Sequence, residues 1–142
     1  MKRAQLRAGR ITALLAILAL GAFVSVASAA VIVGTDNSEK LVGTNGADQI
    51  DAKGGTDKVS AGGGADTVDG GAGTDLIKGE GGPDILTGGL GLDSIDGGDG
   101  ADTLNSFGDG SLDLVDCGDG NDVANVDAGD VVDDCEAVNV IV

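Results

Sequence analysis

The sequence predicts an all-β fold, a solenoid of very short strands stacked into two parallel sheets. Three observations predict it. Asp recurs at 48, 57, 66, 75, 84, 93 and 102, every step being nine residues. Gly stands two residues before each of them, at 46, 55, 64, 73, 82, 91 and 100. A branched aliphatic stands two residues after each: Ile50, Val59, Val68, Ile77, Leu86, Ile95 and Leu104. Asp makes up under a fifth of the residues from 30 onward. Seven in phase would then arise by chance about once in a hundred thousand.

The nine-residue unit reads G-G-x-G-x-D-x-U-x, with U aliphatic. Gly70–Lys78 and Gly97–Asn105 fit every position. The stretch x-U-x makes one short strand, because side chains alternate across a strand and U then points inward. The six residues before it must turn the chain back, and glycines there permit positive φ and close backbone approach. Two units complete one coil of 18 residues, so residue i lies over i+18 at the strand spacing of about 4.8 Å.

Taken in chain order, the first segment differs from the rest. Residues 1–10 carry Lys2, Arg3, Arg7 and Arg10 and no acid, and Ile11–Val26 is an apolar run. Ala27-Ser28-Ala29 places small residues at the −3 and −1 positions of a cleavage site. Basic, apolar, then A-x-A is the layout of a secretory signal peptide, cleaved after Ala29. The run is short of the roughly 20 residues that a spanning helix needs, so no membrane span is expected after cleavage. Residues 30–142 hold all 24 acids and only Lys40, Lys53, Lys58 and Lys78, a net charge of −20. Val31-Ile32-Val33 is expected to pair as a capping strand, and 34–42 is a loose unit with Glu39 in the Asp slot. The strict repeats run over 43–105. Ser106-Phe107 is a two-residue insertion that breaks the spacing. Degenerate units follow over 108–134, with Asp113 and Asp122 in the Asp slot and a phase slip near Asp130. Residues 135–142 are expected to close the stack with a last strand and to act as a cap.

The spacing has an electrostatic consequence. Asp48, Asp66, Asp84 and Asp102 fall into one column and Asp57, Asp75 and Asp93 into the other. Two carboxylates at that distance repel by roughly 1 kcal/mol even in water. A chain this acidic, with one aliphatic per nine residues, will not compact unaided. Divalent cations between successive turns resolve the repulsion. Gly-rich turns free backbone carbonyls, Asp adds carboxylate oxygen, and an all-oxygen, flexible cage suits Ca²⁺ better than Mg²⁺. Asp48, Asp57, Asp66, Asp75, Asp84, Asp93 and Asp102 are the expected ligands, with Asp113 and Asp122 in the looser units. Five Asp pairs 18 residues apart give an expectation of about five Ca²⁺ ions. The alternative is that the Asp columns form solvated faces of an ordinary solenoid. Cys117 and Cys135 are one coil apart and, in an exported protein, are expected to form a disulfide; free thiols or a zinc site are the alternatives.

The repeat resembles the RTX, or haemolysin-type, calcium-binding nonapeptide repeat. The resemblance covers nearly all of residues 30–142. It implies a right-handed parallel β-roll, and the N-terminal signal layout adds the expectation of a bacterial, secreted, extracellular protein. Many members carry such repeats beside an effector domain, whereas here the repeats take up the mature chain. The function read from the sequence is therefore a stand-alone secreted calcium-binding protein with a structural, adhesive or calcium-buffering role. It is not expected to be an enzyme, and it is expected to be a monomer with an unidentified protein or surface partner. Without His there is no Ser-His-Asp or Cys-His machinery. Without aromatic platforms, and with this charge, nucleic acid is not an expected partner. Two other readings remain: an ice- or crystal-surface-binding module, for which the turn columns are irregular, and a carboxylate glycosidase, which would need Asp51, Asp69, Asp96 or Glu80 in a cleft.

Overall fold

The computed structural model describes residues 28–142. The signal-peptide segment falls almost wholly outside them. The described chain is an all-β solenoid of two parallel sheets, of eight and seven strands. Ile32, Ile50, Val68, Leu86, Leu104, Ala124 and Val138 stack in register along the first sheet. Leu41, Val59, Ile77, Ile95, Val115 and Val132 stack along the second. The predicted 18-residue coil therefore holds from Val31 to Leu104. Among the described residues no helix is long and apolar enough to cross a membrane.

The core is fuller than one aliphatic per unit. Strands such as Thr67–Gly73 and Ser94–Gly100 continue past the aliphatic into the following glycines. Alternation then places three positions inward in each unit: the Asp, the aliphatic, and the first residue of the next unit. Ala52, Ala61 and Cys117 occupy that third position and are buried beside the aliphatics.

Positive φ is concentrated at the second and fourth positions, as at Gly71 (91°) and Gly73 (143°). A Cβ on Gly73 would stand 1.5 Å from the Gly55 carbonyl oxygen of the coil below. Lys53 and Glu80 occupy the second position without being glycine, at φ 76° and 73°. Such residues cost about 1 kcal/mol in the left-handed region. Two substitutions should therefore move stability in opposite directions. Glu80→Gly should stabilise by about 0.5 kcal/mol, after the entropy that glycine adds to the unfolded chain. Gly73→Ala should destabilise by about 3 kcal/mol, because both the φ and the backbone contact oppose it. Urea melts in saturating calcium measure both.

The structure places the insertion and the two ends. Ser106 keeps the inward first position and is buried. The extra residues go into the turn after it, giving a 20-residue coil in which Leu104 pairs with Ala124 and Ile95 with Val115. The next coil shortens, with Val115 pairing Val132. Asp134, at φ 49°, then adds the residue that brings Cys135 under Cys117. The two are bonded, with Cα atoms 5.1 Å apart. The terminal strands Val31–Val33 and Ala137–Ile141 pair as expected. In the last one, Val138 and Val140 continue the inward columns and stay about half exposed. The disulfide thus clasps the least buried turns. Replacing both cysteines by serine should cost about 3 kcal/mol. Hydrogen exchange should accelerate over 126–141 and leave the amides around Val68 and Leu86 unchanged.

Candidate metal centre

The Asp side chains of the repeat point into the solenoid. Asp48, Asp57, Asp66, Asp75, Asp84, Asp93, Asp102, Asp113 and Asp122 are all 0 to 4% exposed. This overturns the alternative of solvated Asp faces. The cause is parity: each Asp lies two residues before an inward aliphatic on one extended segment, so it faces the same way.

Each carboxylate is divided between two tasks. Oδ1 accepts the backbone N–H of the residue one coil earlier, as in Asp48 to Asp66 (2.7 Å), Asp66 to Asp84 (2.8 Å) and Asp84 to Asp102 (2.8 Å). The other column repeats it from Asp57 to Asp75 and from Asp75 to Asp93. The 20-residue coil keeps the bond, from Asp93 to Asp113 and from Asp102 to Asp122. The structure therefore links seven Asp pairs where the 18-residue spacing identifies five. The columns end on residues that the repeat pattern does not assign as site residues. Asp113 N–H donates to Asp130 Oδ1 (3.0 Å) and Asp122 N–H to Glu136 Oε2 (2.7 Å).

Oδ2 is the informative atom. In Asp57, Asp66, Asp75, Asp84, Asp93, Asp102, Asp113 and Asp122 it is buried and accepts no hydrogen bond. A buried carboxylate oxygen without a partner costs several kcal/mol if charged, so either a proton or a cation must compensate it. Burial accordingly pushes Asp84 and Asp93 up to about 7. Hydrogen bonds from the Asp66 and Asp75 amides oppose that rise, and neighbouring carboxylates add to it. Asp66, Asp75, Asp102 and Asp113 are raised as well, chiefly by burial.

The turn glycines bring backbone oxygen to the same place. A Cβ on Gly79 would lie 2.5 Å from Asp84 Oδ2 and 2.4 Å from the Gly97 carbonyl oxygen. A Cβ on Gly97 would lie 2.8 Å from Asp102 Oδ2 and 2.3 Å from the Cys117 carbonyl oxygen. The first glycine of the unit thus leaves open a cradle that carboxylate and carbonyl share. Among the described residues no three acidic or Cys side chains gather to hold a metal by themselves. The carboxylates alone therefore do not complete a cage, and the turn carbonyls are the further protein oxygens at hand.

The family model for the RTX calcium-binding nonapeptide repeat (four copies) matches residues 33–68 and 69–104, just over half of the chain. The chain belongs to this family. No curated relative and no solved structure matches it. RTX repeats bind Ca²⁺, and the donors here fit that ion: all are oxygen, several are buried carboxylate oxygens without partners, and the rest are turn carbonyls. Nitrogen and thiolate donors, which would favour zinc or copper, are missing from the repeat turns, and Cys117 is spent in the disulfide.

Outside the columns, charge is handled at the surface. Lys53, in a turn, pairs with Asp51, and Lys78 pairs with Asp96 on neighbouring strands, all at exposed side chains. Such exposed pairs contribute little to stability.

Proposed function

We propose that this chain is a secreted calcium-binding protein whose repeat domain is completed by Ca²⁺ ions held between successive coils. Asp48, Asp57, Asp66, Asp75, Asp84, Asp93 and Asp102 supply the carboxylate oxygens, extended by Asp113 and Asp122, with turn carbonyls as the remaining donors. The observation that carries this reading is the set of eight buried Oδ2 atoms without hydrogen-bond partners. When bound, Ca²⁺ supplies the positive charge that lets those carboxylates stay ionised inside the fold. The chain itself does the rest. Oδ1 bonds fix each carboxylate, the glycines keep the cradle open, and the aliphatic columns set the coil spacing. The role that follows is mechanical or buffering: a rod that is rigid where calcium is plentiful, serving structure, adhesion or calcium storage.

Export fits this reading. The basic, apolar and A-x-A layout of residues 1–29 supports cleavage before Ala30, and the cytoplasm that the chain would leave is poor in calcium. The test is a count of bound ions by flow dialysis on the mature chain. About five Ca²⁺ are expected, with Mg²⁺ failing to replace them at equal concentration. Asp75→Ala, which removes a carboxylate from two linked pairs, should lower the count by one or two. A count of zero to one would end the proposal.

A further inference from the structure

The turns that lead from the first sheet to the second are small and polar through most of the solenoid. Their fifth position carries Ser38, Thr56 and Thr74 in successive coils. In the next two coils it carries Leu92 and Leu112, joined by Leu90 and Phe107 in the same two turns. Register places these turns one coil apart, since Ser94 pairs with Leu114 and Thr87 with Asn105. All four side chains are exposed: Leu90 60%, Leu92 52%, Phe107 47% and Leu112 62%. Phe107 is the one aromatic residue after residue 30.

The insertion that displays Phe107 and Leu112 is tied down at both sides. Asp109 accepts the Gly91 N–H of the coil below at 2.6 Å. Asp127, from the coil beyond, accepts the Gly108 and Gly110 N–H groups at 2.9 and 3.0 Å. The apolar edge is therefore presented on a fixed backbone, which lowers the ordering cost of binding. Contiguous exposed apolar side chains with a polar rim mark interaction sites. The surface here has one sign: outside the buried Asp columns, the chain from residue 79 onward has eleven acids and no Lys or Arg. Such a surface repels a second copy of itself and repels anionic lipid, and it attracts cationic segments.

We propose that the edge formed by Leu90, Leu92, Phe107 and Leu112 is a docking site for a cationic protein segment with apolar anchors. It is separate from the calcium columns and is tested on the calcium-loaded, full chain. The probe is a short synthetic helix of leucine and lysine, compared by fluorescence anisotropy with a serine/lysine helix of equal charge. The expected result is at least tenfold tighter binding of the leucine/lysine probe. That preference should be lost in the variant carrying Leu90→Ser, Leu92→Ser, Phe107→Ser and Leu112→Ser. All four side chains are exposed, so the variant keeps its fold, which circular dichroism in calcium verifies. Equal binding of the two probes, or an unchanged preference in the variant, overturns the proposal. A dimer in sedimentation velocity that the variant lacks, or capture on phosphatidylcholine vesicles that the variant loses, also overturns it and assigns the edge to self-association or to lipid.

Discussion

Chelating calcium with EGTA at pH 8 should convert the far-ultraviolet circular dichroism of the mature chain from strand to coil, and restoring calcium should reverse it. The magnitude follows from linkage. A site filled at a hundred times its dissociation constant stabilises the folded state by about 2.7 kcal/mol. Five such sites contribute about 13.5 kcal/mol, near the top of the 5–15 kcal/mol margin of an ordinary domain. The remaining core has little to offer in its place. It consists of two single-residue aliphatic columns with alanines beside them. At pH 8 it would also enclose the ionised carboxylates of both Asp columns, on a chain with only four lysines after residue 30. A strand spectrum that persists unchanged in EGTA at pH 8, with resistance to protease, would show that the columns do not depend on the ion. Asp66→Ala combined with Asp84→Ala should raise the calcium needed for half-folding severalfold. Asp66 and Asp84 share one linked pair, so the effect of the double substitution should differ from the sum of the single ones.

The regular part of this fold was legible because a strict period fixes register without any other information. Ile32, Ile50, Val68, Leu86 and Leu104 could be aligned from spacing alone, and the structure pairs them so. The depth of the Asp side chains was also present in the sequence, as parity with the inward aliphatic. It becomes visible only once strands such as Thr67–Gly73 are seen to be seven residues long and not three. The C-terminal coils were legible only in part: Asp113, Asp122 and the Cys117–Cys135 pair could be placed from the sequence, and the coil lengths could not. Their lengths differ, with 20 residues between Leu104 and Ala124 and 14 between Ala124 and Val138. No period survives such changes. What holds the register there is the reach of individual carboxylates to an amide of the coil before. A glutamate serves as well as an aspartate, so Glu136 completes one column without matching the repeat. The Leu90 and Phe107 edge was hidden for a different reason: apolar residues in turn positions read as imperfect repeats until the strand register sets their turns one coil apart.

Acidification should restore the fold that chelation removes. In the metal-free chain the folded state holds Asp84 and Asp93 up at about 7, with burial as the leading cause. In the unfolded chain they return to the ordinary carboxylate value near 3.9. Their folded pKa is raised, so the stability they contribute is fully present below pH 4 and is lost as pH rises through 7. Asp66, Asp75, Asp102 and Asp113 are shifted in the same direction and add to the trend. Across that window each extra proton held by the folded state changes stability by about 1.4 kcal/mol per pH unit. In EGTA the strand signal should therefore grow as pH falls from 8 to 5. With calcium present the sign reverses, because the ion requires ionised carboxylates and protons compete for the same oxygens. Apparent calcium affinity should then fall as pH drops from 8 towards 5. The double variant Asp84→Asn, Asp93→Asn separates the two effects, since an amide is neutral at every pH. Its metal-free form should be more folded at pH 8 than that of the parent and should respond less to acid, while its calcium count falls. A metal-free parent that loses strand signal between pH 8 and 5 would contradict the burial of these carboxylates, and with it the account of why the columns call for a cation.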